Sequence, residues 1–204
     1  MIKEIVLATK NRHKNEEIKS ILKDLDIKII PMTSFPDYPA TIEDGATLEE
    51  NAAKKAREAA EFFKKWAIAD DSGLEVDYLN GSPGIYSARY AGRNCSYDDN
   101  NKKLLAELKN VPEEKRTANF RTVIAVASPD GRLFLADGKI FGTIKRHTVG
   151  IDGFGYDPVF YVPEYGKTFA ELSCEIKNSL SHRAEALQKV KKIIKNLSNL
   201  QLSF

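Results

Sequence analysis

Short apolar runs alternate with helical periodicities along the first half of the chain. Ile5-Val6-Leu7-Ala8 is β-branched and stopped by polar residues, the pattern of a buried strand. Ile18, Ile21, Leu22 and Leu25 then recur at i, i+3, i+4 and i+7, which predicts an amphipathic helix from about Lys14 to Leu25. Ile27 to Ile30 reads as a second strand closed by Pro31. Thr47-Leu48-Glu49-Glu50 has the form of a capping box and opens an alanine-rich helix reaching about Lys64. Trp66-Ala67-Ile68-Ala69 is another short strand, ending at Asp70-Asp71-Ser72-Gly73, and Leu74 to Leu79 alternates as a further strand before the Asn80-Gly81 turn.

The second half is patterned differently. Leu104, Leu105 and Leu108 mark a helix after Ser96, and Val123 to Ala127, Pro129-Asp130-Gly131 and Leu133 to Ala136 read as a β-hairpin. Leu187, Val190, Ile194 and Leu197 place a closing helix whose other face carries Lys189, Lys191, Lys192 and Lys195. Early βαβ units followed by a hairpin predict an α/β protein with a mixed sheet covered by helices. Ligands of such folds gather at strand carboxyl ends, which directs attention to the loops after Ala8, Ala69 and Tyr161.

Composition narrows the function classes. With 42% hydrophobic and 29% charged residues, the 204-residue chain buries a core and is neither disordered nor repetitive. A net charge of +2 excludes a global field that would demand nucleic acid or a membrane as partner. Two cysteines, Cys95 and Cys174, are too few for a disulfide framework and lack zinc-site spacing. The N-terminus has the pattern of neither a signal peptide nor a membrane span, so a cytoplasmic protein is expected.

Several segments carry candidate chemistry. Thr9-Lys10-Asn11-Arg12-His13-Lys14 lies between a buried strand and a helix start, where open backbone N–H groups and the helix dipole favour an anion; an ordinary capped helix start reads the same way. Asp70-Asp71-Ser72-Gly73 is either a plain turn or a place where one carboxylate meets a hard cation, since alternation along a strand points only one of the pair into a given site. Glu43, beside Asp44 and Gly45, can add a second carboxylate, and Lys55, beside Lys54, a cation. Ser82 to Arg89 either braces a site or packs a loop. Gly153-Phe154-Gly155-Tyr156-Asp157-Pro158 exposes an aromatic between glycines, suited to packing on a flat base or on a core neighbour.

Taken in order, Thr9-x-Asn11-x-x-Lys14, Glu43, Asp70-Asp71-Ser72-Gly73, Pro83 to Arg89, Gly153 to Pro158, and Lys177 with Ser181-His182-Arg183 resemble the inosine triphosphate pyrophosphatase family over nearly the whole chain. The resemblance implies one two-lobed domain over 1–204, an elongated mixed β-sheet flanked by helices, a nucleotide cleft between the lobes, and a cytoplasmic homodimer. It implies Mg²⁺-dependent cleavage of ITP, dITP and XTP between the α- and β-phosphates, giving a nucleoside monophosphate and pyrophosphate. Asp71 then accepts the proton and ligates the metal with Glu43. Thr9, Lys10, Asn11, Arg12, His13, Lys14, Lys55 and Ser72 hold the triphosphate; Phe154, Gly155, Tyr156, Asp157, Lys177, His182 and Arg183 face the base and sugar.

Four alternatives compete with this expectation, of which an aspartyl-phosphate phosphatase is a poor reading because it needs two aspartates spaced by one residue and Asp70 and Asp71 are adjacent. A related pyrophosphatase could act on other modified or on standard triphosphates, and a sensor could bind nucleotide without turnover. An RNA-associated module using the Lys189 to Lys195 face lacks the necessary charge and aromatic pattern.

Overall fold

Residues 2–200 are described by a computed structural model, with side chains as far as residue 197; Met1 and residues 201–204 of the expected 1–204 domain lie outside the described residues. The elements run β1 (Glu4–Leu7), α1 (Arg12–Leu22), β2 (Lys28–Pro31), α2 (Leu48–Phe63), β3 (Trp66–Val76), α3 (Tyr97–Glu107), β4 (Thr117–Ala127), β5 (Leu133–Ile144), β6 (Phe160–Val162), β7 (Lys167–Thr168), α4 (Cys174–Leu180) and α5 (His182–Leu200). The described strands form one seven-stranded sheet in the order β2-β1-β3-β4-β5-β6-β7. β1 pairs in parallel with β2 and with β3, whereas β6 is antiparallel to both β5 and β7. The turn Ser128–Arg132 is too short for a parallel crossover, so β4 and β5 form the expected hairpin. The fold is therefore α/β with a mixed sheet.

The chain divides into two compact units. Among the described residues, unit 1 comprises residues 2–71, 122–138 and 183–200; unit 2 comprises 72–121 and 139–182. In unit 1, Ile5 and Leu7 of β1, Ile18 and Leu22 of α1, Ile68 of β3, and Leu187, Val190 and Ile194 of α5 share one buried cluster. A fully buried Leu or Ile side chain contributes roughly 1.5–3 kcal/mol. The expected helical stripes of α1 and α5 are the faces that meet there. In unit 2, Leu74 and Val76, Leu104 and Leu108, Phe120, Phe160 and Phe169 form a separate core. Arg116 is buried among them and donates to the carbonyls of Ile144 (2.6 Å), Leu108 (2.5 Å) and Lys145 (2.6 Å), so its guanidinium closes three backbone acceptors.

The boundaries differ from the pattern-based expectation in instructive ways. α1 starts at Arg12, because the Asn11 carboxamide caps it by accepting from the Lys14 N–H (3.2 Å), and it ends at Leu22. Only half of the expected capping box forms at α2: Thr47 Oγ1 accepts from the Glu50 N–H (3.1 Å), while the Glu50 carboxylate accepts from Ala46 instead (2.7 Å). The hairpin strands extend well beyond the apolar runs that signalled them.

The largest correction concerns β3. The two strands expected on either side of Asp70-Asp71-Ser72-Gly73 are one continuous eleven-residue strand, lying between β1 and β4 in the sheet. Aspartate and glycine are poor strand formers, and pairing on both edges overrides that preference. No turn and no strand end therefore follow Ala69. Tyr161 lies inside β6, which ends one residue later at Val162. Gly73 is a close-approach glycine: an added Cβ would lie 2.4 Å from the Gly84 carbonyl oxygen. Gly73→Ala is expected to destabilise the protein by about 1–3 kcal/mol through this overpacking, read as a lower urea midpoint at unchanged m-value.

Candidate active site

Adjacent residues on β3 point to opposite faces, and Asp70 and Asp71 accordingly have different partners. Asp70 is 1% exposed and receives Lys14 Nζ at 2.8 Å and Arg183 Nε and Nη2 at 3.4 Å on the same Oδ2. The Arg183 guanidinium, 2% exposed at the start of α5, also pairs with Glu17, one turn after Lys14 on α1. This four-residue network joins α1, α5 and β3. Burial opposes ionisation of Asp70, but the charges of Lys14, Arg183 and Lys55 outweigh it and hold the carboxyl well below the usual range.

Asp71 faces α2. Its Oδ1 accepts from Lys55 Nζ at 2.9 Å and its Oδ2 from Asn51 Nδ2 at 3.3 Å. Asn51 and Lys55 stand at i and i+4, on one face of the helix. Lys55 Nζ also reaches Glu43 Oε1 at 2.9 Å, so oxygens of Glu43 and Asp71 are no further apart than twice that distance. Burial raises the Asp71 pKa, Lys55 and Lys14 oppose the rise, and Glu43 adds to it. For Lys55, burial opposes the charged form, and Asp71, Glu43 and Asp70 together more than restore it.

The register of this loop and helix is settled by parallel ion pairs. Glu43 pairs with Lys55, while neighbouring Asp44 pairs with Lys54 at 2.6 Å on the outer side. Two carboxylates brought from different elements to one ammonium suit a hard cation that takes its other ligands from water and substrate phosphate. Among the described residues, no group of three or more His, Cys, Asp or Glu is arranged to hold a metal by itself.

The loop before α1 is built around its backbone. Thr9 Oγ1 accepts from the Asn11 N–H (3.2 Å), and buried Asn15 donates to the carbonyls of Thr9 (3.0 Å) and Asn11 (3.1 Å). The first turn holds Arg12, His13 and Lys14 and no acid. Cations at a helix N-terminus oppose the dipole, each by about 0.3–1 kcal/mol, and such a cluster is relieved by an anion. Lys10, Arg12 and His13 are exposed; Arg12 pairs with Glu16 (2.8 Å) on the surface.

The remaining candidates belong to unit 2, which begins at half-buried Ser72. Asp157 organises the glycine loop: its Oδ2 accepts from the Phe154 N–H at 2.7 Å and from Lys177 Nζ at 2.6 Å. Gly153 has φ +79°, and a Cβ there would lie 2.1 Å from that same oxygen. Lys177 Nζ sits 4.6 Å from the centre of the Phe154 ring, which Tyr97 flanks at 6.1 Å. Asn101 donates to the Gly155 carbonyl (2.9 Å), and the Tyr156 hydroxyl donates to the Ser87 carbonyl (2.9 Å). The segment Ser82 to Arg89 thus braces this loop. Buried His182 stacks on Phe120 at 4.9 Å.

The sequence patterns had not singled out Asn15, Glu17, Asn51, Asn101 or a role for Asp70. One signal was present for Asn51: a poor helix former at i−4 from Lys55 on the face otherwise lined by Leu48, Ala52 and Ala56. Asp70→Asn leaves a buried guanidinium short of charge, and a loss of about 3–5 kcal/mol of stability is expected in urea unfolding.

Comparison with known proteins places the chain in a family. The model of the Ham1 family matches residues 5–193. The dITP/XTP pyrophosphatase of Desulforamulus reducens is 51% identical over 193 residues, 95% of this chain and 96% of that one; its namesake from Clostridium perfringens is 48% identical over 202 residues, 96% and 99%. Among solved structures, the HAM1 protein of Coxiella burnetii superposes with a TM-score of 0.87 at 41% identity, covering 96% of this chain and 100% of that one. The Staphylococcus aureus Ham1 protein gives 0.85 at 44%, covering 95% and 99%. With a family match across almost its whole length and half its residues shared with full-length relatives, the chain belongs to the Ham1 family.

Proposed function

We propose that this protein hydrolyses non-standard purine nucleoside triphosphates, namely ITP, dITP and XTP, to the nucleoside monophosphate and pyrophosphate, with Mg²⁺ as cofactor. One observation carries the reading: a buried carboxylate, Asp71, held by Lys55 and Asn51 beside Glu43. The relatives named as dITP/XTP pyrophosphatases support the substrate class.

The unit 1 residues take the triphosphate. Thr9, Asn11 and the first turn of α1 supply donors, and Lys14 and Lys55 neutralise charge, each already oriented by a carboxylate. Asp71 accepts the proton of the water that attacks the α-phosphorus. When bound by Glu43 and Asp71, Mg²⁺ supplies further phosphate neutralisation and a lower pKa for the attacking water. Ser72, the residue after Asp71 along β3 and the first of unit 2, completes the phosphate set.

The unit 2 residues take the base and sugar. Phe154 offers a flat face, and Lys177 and His182 are donors suited to the 6-oxo group of hypoxanthine or xanthine. Adenine would turn its 6-amino donor toward them and leave them unpaired. Gly155, Tyr156 and Asp157 shape the loop. Arg183 joins this set by the family pattern, while its contacts here are with Glu17 and Asp70. No described helix is long and apolar enough to cross a membrane. A homodimer in the cytoplasm completes the reading.

The deciding experiment incubates the protein with ITP, XTP, ATP and GTP, with and without Mg²⁺, and resolves the products by ion exchange. IMP plus pyrophosphate from ITP, little ATP use and no activity in excess chelator are expected; IDP plus phosphate, or equal ATP use, overturns the assignment. Asp71→Asn is expected to lose about 10²–10⁴-fold in kcat. Arg183→Ala separates two roles: selective loss of ITP use assigns the guanidinium to the base, and equal loss on ITP and ATP assigns it to Asp70 and Lys14.

A further inference from the structure

Asn51 is 1% exposed, yet both ends of its carboxamide are engaged. Its Oδ1 accepts from the Gly45 N–H at 2.9 Å, and its Nδ2 donates to Asp71 Oδ2 at 3.3 Å. Only one orientation is chemically possible, because a backbone N–H can only donate and an ionised carboxylate can only accept. Gly45 stands two residues after Glu43 on the same loop. The contacts therefore close a ring: Glu43 to Lys55, Lys55 to Asp71, Asp71 to Asn51, Asn51 to Gly45, and along the chain back to Glu43.

We infer that Asn51 is a positioning residue that couples the Glu43 loop to Asp71, so that the two carboxylates are presented together. Each oxygen of Asp71 then has its own donor from α2, and neither carboxylate can rotate without breaking a bond to that helix. Gly45 suits the close approach of loop and helix, since an added Cβ would lie 2.7 Å from Asn51 Oδ1 and 2.8 Å from Glu50 Cβ. Clamps on the outer side act in the same sense, with Asp44 on Lys54 and Thr41 Oγ1 donating to Glu58, both at 2.6 Å. An alanine on this buried face would favour the helix more, but it would leave the Gly45 N–H and Asp71 Oδ2 without these partners.

The inference rests on the proposed roles of Asp71 and Glu43, and the test separates the two. Asn51→Ala and Gly45→Ala are compared with wild type and Asp71→Asn by calorimetric titration of the nucleotide-free protein with Mn²⁺, and by kcat and KM for ITP. Both variants are expected to lose about 10- to 100-fold in Mn²⁺ affinity and in kcat. KM should move by less than about threefold, because the lost interaction belongs to the chemical step rather than to nucleotide binding. Wild-type Mn²⁺ affinity and kcat in Asn51→Ala overturn the coupling, as does a loss that only follows the folded fraction measured by circular dichroism. Should Asn51→Ala fail to fold, Asn51→Ser, too short to span both partners, is judged by the same two readouts. Full activity of Asp71→Asn would instead overturn the parent assignment.

Discussion

Two consecutive carboxylates in the middle of a sheet strand are the constraint on which unit 1 depends. An ionised carboxylate away from water is strongly unfavourable unless charge and hydrogen bonds compensate it. Asp70 and Asp71 point to opposite faces of β3, so compensation has to arrive from both. Lys14 and Arg183 meet the first, and Lys55 and Asn51 meet the second. The helices that carry these donors, α1 and α5 for Asp70 and α2 for Asp71, are thereby fixed against the strand by the same contacts that assemble the site.

The two carboxylates diverge for the same physical reason. Asp70 faces two or more cations and stays ionised; Asp71, sharing one ammonium with Glu43, is left with a net upward shift from burial. One carboxylate anchors Lys14 and Arg183, and the other is held by Lys55 and Asn51. Unit 2 repeats the device in miniature, where Asp157 holds Lys177 and the backbone of Phe154 together and so sets the ring and the ammonium side by side.

Patterns with a local cause were legible in advance. The stripe of α1 and α5, the Thr47 cap, the Ser96 helix and the hairpin all follow from periodicity, capping and turn chemistry within a few residues, and each is present. The order of motifs was sufficient to place the family. The continuous β3 was not legible, because its Asp-Asp-Ser-Gly centre has turn-like composition and becomes strand only when β1 and β4 pair with it.

By itself the sequence determined the helices, the fold class and the family, since these depend on short-range propensity and on the order in which the motifs follow one another. Tertiary structure alone decided how those groups pair: that Asp44 goes to Lys54 and Glu43 to Lys55, that Arg183 binds Glu17 and Asp70, and that Asn51 joins Gly45 to Asp71. Residues 70 and 183, or 51 and 71, are far apart along the chain, and their ion pairs and hydrogen bonds exist only once the sheet and its helices have brought them out of water together.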